Sequence, residues 1–132
     1  MPEEPAPDLI RGRMGATPAP PKMPDLDLRA TTHLLLHAAV PLAIARAFWP
    51  TQWRRAALWM LAGWLIDVDH LLADPIYAPG RCSIGFHPLH TWPAVLVYVL
   101  LLLPRRTRWL GIGLLVHIAL DAIDCWLMHG DA

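Results

Sequence analysis

The chain has 132 residues, enough for one domain, and 55% of them are apolar, which is a high fraction for a soluble protein of this size. Eleven basic residues balance eleven acidic ones, so no net positive field attracts nucleic acid, and no nucleic-acid partner is predicted. Two cysteines are too few for a disulfide scaffold. The composition therefore indicates a membrane protein.

The start of the chain differs from the rest. Residues 1–24 hold seven of the fourteen prolines, together with scattered charges and few apolar side chains. Such a segment cannot bury enough apolar surface to offset the entropy that ordering would remove. We therefore expect residues 1–28 to form a disordered Pro-rich tail and residues 29–130 to form the folded domain.

Four apolar segments follow, and each is a predicted transmembrane helix, since a bilayer core of about 30 Å needs about 20 residues of helix. Tryptophans near the segment ends are typical of a membrane–water interface. The predicted fold is all-α, a polytopic membrane bundle of about four transmembrane helices. The segments run over residues 31–49, 55–73, 88–103 and 109–128.

Basic residues are divided unevenly between the two faces of this bundle. Lys and Arg in short loops resist translocation, so the face that carries more of them stays inside. The loop of residues 74–90 carries only Arg81. We therefore expect this loop and both termini to face outward. The loops of the opposite face carry Arg54, Arg105, Arg106 and Arg108.

Each of the four segments contains histidine, aspartate or both, and in each segment these residues lie toward the predicted outward end. Ionisable side chains within a membrane are costly unless they are paired or bind a metal, so they indicate function. Successive helices of an antiparallel bundle cross the membrane in opposite directions, so polar residues that occurred by chance would not all lie at the same depth. We expect one site with these members: His37, Asp67, Asp69, His70, His87, His90, His117 and Asp121.

Imidazole and carboxylate groups are ligands of zinc, manganese and iron, so the predicted cofactor is one or two divalent ions, with zinc first and manganese or iron as alternatives. A metal-bound water has its pKa lowered toward 7, which makes hydrolysis the predicted chemistry. Asp69 or His87 is the predicted base that takes the proton. The expected direct ligands are Asp67, His70, His117 and Asp121.

Some of these residues also have simpler interpretations. His33, one turn before His37, is equally well explained as a solvated interface residue, and Asp74 as a turn residue. His117 and Asp121 are also compatible with a mutually satisfied buried pair. The two cysteines, Cys82 and Cys125, leave open a disulfide, a thiolate ligand or two inert thiols.

Two other functions fit a bundle of this kind. Histidines on facing helices can hold haem, although haem pockets are mainly apolar and several carboxylates lie near this site. A transporter subunit could relay protons or metal ions through the same side chains. A relay would need polar residues on the inward halves of the helices as well, and the sequence has only arginines there.

The order of these motifs resembles the metal-dependent hydrolases of the bacterial inner membrane that are described as LexA-binding or YdjM-like, and a related membrane family of unknown activity. The resemblance rests on His37, on LIDVDHLLADP at 65–75, on RCSIGFHPLHT at 81–91 and on GLLVHIALDAIDC at 113–125. The D-x-D-H element of this chain is Asp67 to His70, and the YdjM-like proteins often have proline directly before it, where this chain has Ile66.

The resemblance implies a multi-pass protein of the bacterial inner (plasma) membrane, and the distribution of basic residues then places its termini in the periplasm. It also implies a metal-centred hydrolase site whose ligand logic is similar to that of zinc-dependent phospholipase C enzymes. The expected partners are membrane lipid and an amphiphilic substrate such as a phospholipid or lipid-linked phosphoester. The sequence leaves a homo-oligomer open.

Overall fold

The computed structural model describes residues 28–76, 78 and 80–130, without the side chains of residues 129 and 130. Every regular element in this part of the chain is helical, so the all-α prediction is confirmed there. The predicted disordered tail lies outside the described residues, except that Leu28 already begins the first helix.

Four α-helices and two 3₁₀ segments form the fold. The α-helices are α1 (Leu28–Phe48), α2 (Trp53–Leu61), α3 (Trp92–Leu100) and α4 (Arg108–Gly130). A 3₁₀ helix, Ala62–Leu72, continues α2 without a break, and a 3₁₀ turn, Pro88–His90, precedes α3. The second and third predicted segments are therefore helical in the expected places, but α2 and α3 are only nine residues long each.

Two of the helices are long and apolar enough to cross a membrane, Leu28–Phe48 and Arg108–Met128. Their large apolar side chains point mostly away from the protein, as at Leu35 and Trp126, and Leu58 of α2 does the same. A large exposed apolar surface is typical of a protein that contacts lipid. A membrane bundle is consistent with these features, while the count of four spans stays a prediction.

At Gly113, α4 crosses closely over the backbone of Met60 in α2 and of Gly63 in the 3₁₀ helix that follows. A Cβ atom added to Gly113 would lie 2.2 Å from the carbonyl oxygen of Met60, and one added to Gly63 would lie 2.8 Å from the backbone of Gly113. Small residues of this kind let helix backbones approach closely in membrane bundles. The crossing therefore depends on glycine at both positions.

The change from α to 3₁₀ geometry begins at Ala62, beside this crossing. A 3₁₀ helix repeats every three residues, so side chains at i and i+3 lie on the same face. The buried residues of this segment have that spacing and are Gly63, Ile66 and Asp69. Asp69, which carries a carboxylate, is therefore the last residue on the buried face of this helix.

Candidate metal centre

The ionisable side chains that the sequence places at one level lie together at one end of the bundle. Most of them are buried, although burial of a charged or polar group is unfavourable unless it is paired or bound to a metal. The described part of the chain buries six polar or charged residues, and all six belong to this group: His37, Asp69, His87, His90, His117 and Asp121.

Four side chains from three elements surround a common point, and we call them the tetrad: Asp67, His90, His117 and Asp121. Each offers one ligand atom, and these atoms lie within 4.8 Å of one another. His117 Nε2 is 3.1 Å from Asp67 Oδ1, and His90 Nε2 is 3.1 Å from Asp121 Oδ2. Two imidazoles and two carboxylates are a ligand set suited to a divalent ion such as zinc.

The hydrogen bonds that the tetrad can form among its own members do not satisfy all of its ligand atoms. The Nε2 atoms of His90 and His117 face each other at 3.4 Å, and each also faces a carboxylate. A ring nitrogen carries at most one hydrogen and cannot serve several partners at once. Asp121 Oδ2 is buried and has no hydrogen-bond partner among the described atoms. A cation at the centre would satisfy these atoms together.

A second group, which we call the α1 triad, consists of His33, His37 and Asp121. His33 and His37 are one helical turn apart, so both rings face α4. Their Nε2 atoms are 3.1 and 3.2 Å from Asp121 Oδ1. Asp121 therefore belongs to the tetrad through one oxygen and to the α1 triad through the other.

A third group contains Asp69, His70 and His87. Asp69 Oδ1 is 3.2 Å from His70 Nδ1, and its Oδ2 is 3.2 Å from His90 Nδ1 and accepts the Leu89 backbone N–H at 2.8 Å. A carboxylate behind a metal-ligating histidine fixes the ring and its tautomer. Asp69 is therefore in position to orient His90 toward the centre of the tetrad.

The loop before α3 adds His87, which stacks on the ring of His70 with centroids 3.8 Å apart. Burial lowers the pKa of the His87 imidazole, and the nearby His70 lowers it further. The neutral ring is thus favoured at neutral pH, because both effects penalise the imidazolium.

All eight predicted site residues lie in these groups, but their arrangement differs from the expected one. Three of the four residues expected as direct ligands are in the tetrad, whereas His70 lies with Asp69 in the third group and His90 takes its place. The sequence predicts an α-helix over residues 55–73, whereas the 3₁₀ repeat of Ala62–Leu72 puts Asp69 on the buried face. The predicted roles of these residues as ligands or bases stay predictions.

The site also includes one residue that sequence reasoning did not select. His33 is equally explained there as an interface residue, yet it faces Asp121 in the α1 triad. The signal was present in its spacing of four residues from His37, which puts both rings on one face of α1. Asp74 is exposed and outside all three groups, in agreement with its interpretation as a turn residue.

The two cysteines form a disulfide, Cys82–Cys125, across a sequence separation of 43 residues. Of the three alternatives that the sequence leaves open, the structure has the disulfide. The bond attaches the loop that carries His87 to α4, one turn beyond Asp121. The loop is thereby held over the site.

A cavity of about 490 Å³ adjoins the site, and His33, His70 and His87 are among the residues that line it, with Arg29 and Arg81. An apolar groove of about 520 Å³ lies between α1 and α4. The cavity and the groove share three lining residues, Arg29, His33 and Asp124, so that they adjoin each other. The groove is also lined by the leucines Leu28, Leu36, Leu120 and Leu127.

Comparison with known proteins gives one match. A protein-family model described as "Family of unknown function (DUF6122)" matches residues 27–128, which is most of the chain. No curated protein and no solved structure matches significantly. The resemblance to YdjM-like hydrolases therefore stays a prediction.

Proposed function

The chain belongs to the DUF6122 family of unknown function, and we propose from its own site that it is a membrane-embedded metal-dependent hydrolase. The observation that carries the proposal is the tetrad, in which two imidazole nitrogens and two carboxylates converge within 4.8 Å and leave a buried carboxylate oxygen without a hydrogen bond. This ligand set fits a divalent ion, with zinc as the first choice.

The chemistry of such a site follows from its ligands. A divalent ion held by the tetrad would lower the pKa of a bound water toward 7 and so supply a nucleophile at neutral pH. Attack of the water oxygen on the substrate phosphorus breaks the bond to the leaving oxygen, and a base must take the proton of the water. We assign this base to His87, because it lines the cavity, whereas both oxygens of Asp69 already face other groups.

The cavity and the groove favour an amphiphilic substrate, a phospholipid or a lipid-linked phosphoester. A polar head in the cavity would lie beside His33 and His87, with Arg81 nearby to neutralise a phosphate, since Arg29 is already paired with Asp124. Two carbonyl oxygens, those of Pro75 and Ile76, accept hydrogen bonds from Arg81 and keep its guanidinium in place. An acyl chain would follow the leucine-lined groove between α1 and α4 into the lipid.

The proposed location is the inner membrane, with the site on its periplasmic side. The predicted outward orientation of the 74–90 loop agrees with the disulfide, since disulfides persist in oxidising compartments. A site at this level is accessible to lipids that diffuse within the membrane.

The alternatives to a hydrolase use the same side chains. A haem would need a wide apolar slot between two imidazoles, and Asp67, Asp69 and Asp121 lie among the histidines instead. A metal-binding protein without catalysis has the same ligands and lacks only turnover. Turnover of phosphoesters therefore decides between the two metal-binding functions.

The first experiment is elemental analysis of the detergent-purified protein, with an absorption spectrum of the same sample. We expect zinc, manganese or iron bound to the chain and no haem band. His117→Ala should lose at least tenfold in affinity for the metal, whereas His129→Ala, a histidine outside the predicted site, should bind as the wild type does. Equal retention of metal by the two variants, or no metal after reconstitution, would contradict the proposed site.

A further inference from the structure

We infer that this site binds two divalent ions, with Asp121 as the bridging ligand and with His33 and His37 as the ligands of the second ion. The inference rests on the proposed metal centre and adds an ion to it. The tetrad would hold the first ion and the α1 triad the second. His33 is the residue that this arrangement adds to the expected ligand set.

The orientation of the Asp121 carboxylate is the first argument. Its Oδ2 is 3.1 Å from His90 Nε2 and 3.6 Å from His117 Nε2, both in the tetrad. Its Oδ1 is 3.1 Å from His33 Nε2 and 3.2 Å from His37 Nε2 on the other side. A carboxylate that directs each oxygen toward a separate pair of imidazole nitrogens has the arrangement of a ligand shared by two ions.

The protons on His37 are the second argument. Its Nδ1 is 2.9 Å from the carbonyl oxygen of His33, and because a carbonyl only accepts, Nδ1 must be the donor of this bond. In a neutral ring, Nε2 then carries a lone pair, and it points at the carboxylate of Asp121 from 3.2 Å. Two electron-rich atoms repel each other at this distance unless a second proton or a metal cation lies between them.

The third argument is burial, because bulk water cannot hydrogen-bond to buried ligand atoms. His37 Nε2 and Asp121 Oδ2 are the buried side-chain atoms without a hydrogen-bond partner in the described part of the chain. One belongs to the α1 triad and the other to the tetrad. Each of the two proposed ion sites therefore contains a buried ligand atom that the protein does not otherwise satisfy.

The position of the second ion relates it to the substrate. His33 is the most exposed ligand of the α1 triad, at 28% of its side chain, and it lines both the cavity and the groove. An ion beside His33 would thus lie between the tetrad and the proposed polar head. Two ions in such a site stabilise both the attacking and the leaving oxygen of a displacement.

The test is the number of ions per chain in protein that is stripped with a chelator and titrated with Zn²⁺ or Mn²⁺. We expect two ions in the wild type and one in His33→Ala/His37→Ala. His33→Ala alone, at the most exposed ligand, should weaken the second ion at least tenfold and leave the first unchanged. Asp121→Asn should reduce binding at both sites. Asp124→Asn, the same change one turn along α4, is the matched control and should keep two ions.

Electron paramagnetic resonance of the Mn²⁺-loaded protein gives an independent result. Two ions that share the Asp121 carboxylate should show spin coupling in the wild type, and His33→Ala/His37→Ala should show an isolated Mn²⁺ signal. One ion per chain in the wild type, or two ions in the double variant, would overturn the inference and leave the tetrad intact. No bound ion in the wild type would instead overturn the proposed function itself.

Discussion

The two ends of the bundle are built from the same helices in opposite ways. At one end, small apolar residues of α1 and α2 pack closely, with Ala45 and Ala56 fully buried, Met60 almost so, and Trp49 and Trp109 packed against them. At the other end, the buried side chains are histidines and aspartates. Among the described residues, the buried side chains of the first end are apolar, whereas the second end contains buried atoms without a hydrogen-bond partner.

This difference means that packing at one end stabilises the fold, whereas the candidate metal ligands lie at the other end. Close backbone contact at Gly63 and Gly113 allows dispersion forces to hold α2 against α4 without any ligand. At the polar end, carboxylates that have lost their hydration need a cation as compensation. We therefore expect the apolar end to keep the fold when metal is removed, and the polar end to become more mobile.

The largest effect should come from Gly113→Ala, which breaks the apolar end. The new Cβ would meet the backbone of Met60, with 2.2 Å to its carbonyl oxygen, so α2 and α4 must separate. Overpacking usually costs about 1–3 kcal/mol, and we expect a loss beyond this range, about 4 kcal/mol or more, because backbone and not a flexible side chain has to move. Thermal unfolding in detergent, followed by circular dichroism, measures the change.

The matched control for this variant is Ala119→Ser, which adds one heavy atom on the exposed face of α4. It should unfold within a few degrees of the wild type. Equal melting temperatures for Gly113→Ala and Ala119→Ser would mean that the glycine crossing does not hold the helices together.

A smaller effect should follow from the loss of the disulfide, which connects the loop over the polar end to α4. Removal of a native disulfide typically costs about 2–4 kcal/mol, and Cys82→Ser/Cys125→Ser should therefore melt at a lower temperature than the wild type. The double variant should also bind metal more weakly, because the loop carries His87 and leads into His90. Thiol alkylation before and after reduction checks that the wild type is oxidised, and free thiols without a reductant would contradict the prediction.

The smallest effect should come from Asp69→Asn, which changes only the polar end. Residues that orient a metal-ligating histidine typically contribute 10- to 100-fold in affinity, and Asn keeps the size of Asp69 while removing the charge that faces His90. We expect weaker metal binding with little change in unfolding temperature. Isothermal titration measures the affinity, and Asp74→Asn, at an exposed carboxylate, is the control. A wild-type affinity in Asp69→Asn would remove Asp69 from the metal centre.

The amino-acid sequence by itself determines the helical class and the level at which the ionisable side chains meet. Apolar runs specify the helices in the described part of the chain, and spacings such as His117 to Asp121 put two ligands on one face of a helix. Because successive helices of a bundle run in opposite directions, the sequence alone shows that the histidines and aspartates of all four segments lie at a similar depth. These predictions depend only on local geometry, which the sequence contains.

Only the tertiary structure decides which of these side chains share an ion. The close crossing of Gly63 with Gly113 lies beside the start of the 3₁₀ helix. The three-residue repeat of this helix puts Asp69 on its buried face, while His70 lies in the third group. His117 meets Asp67 across 50 residues of sequence. Contacts of this kind depend on how two distant backbones pack, and no local spacing in the chain contains that information.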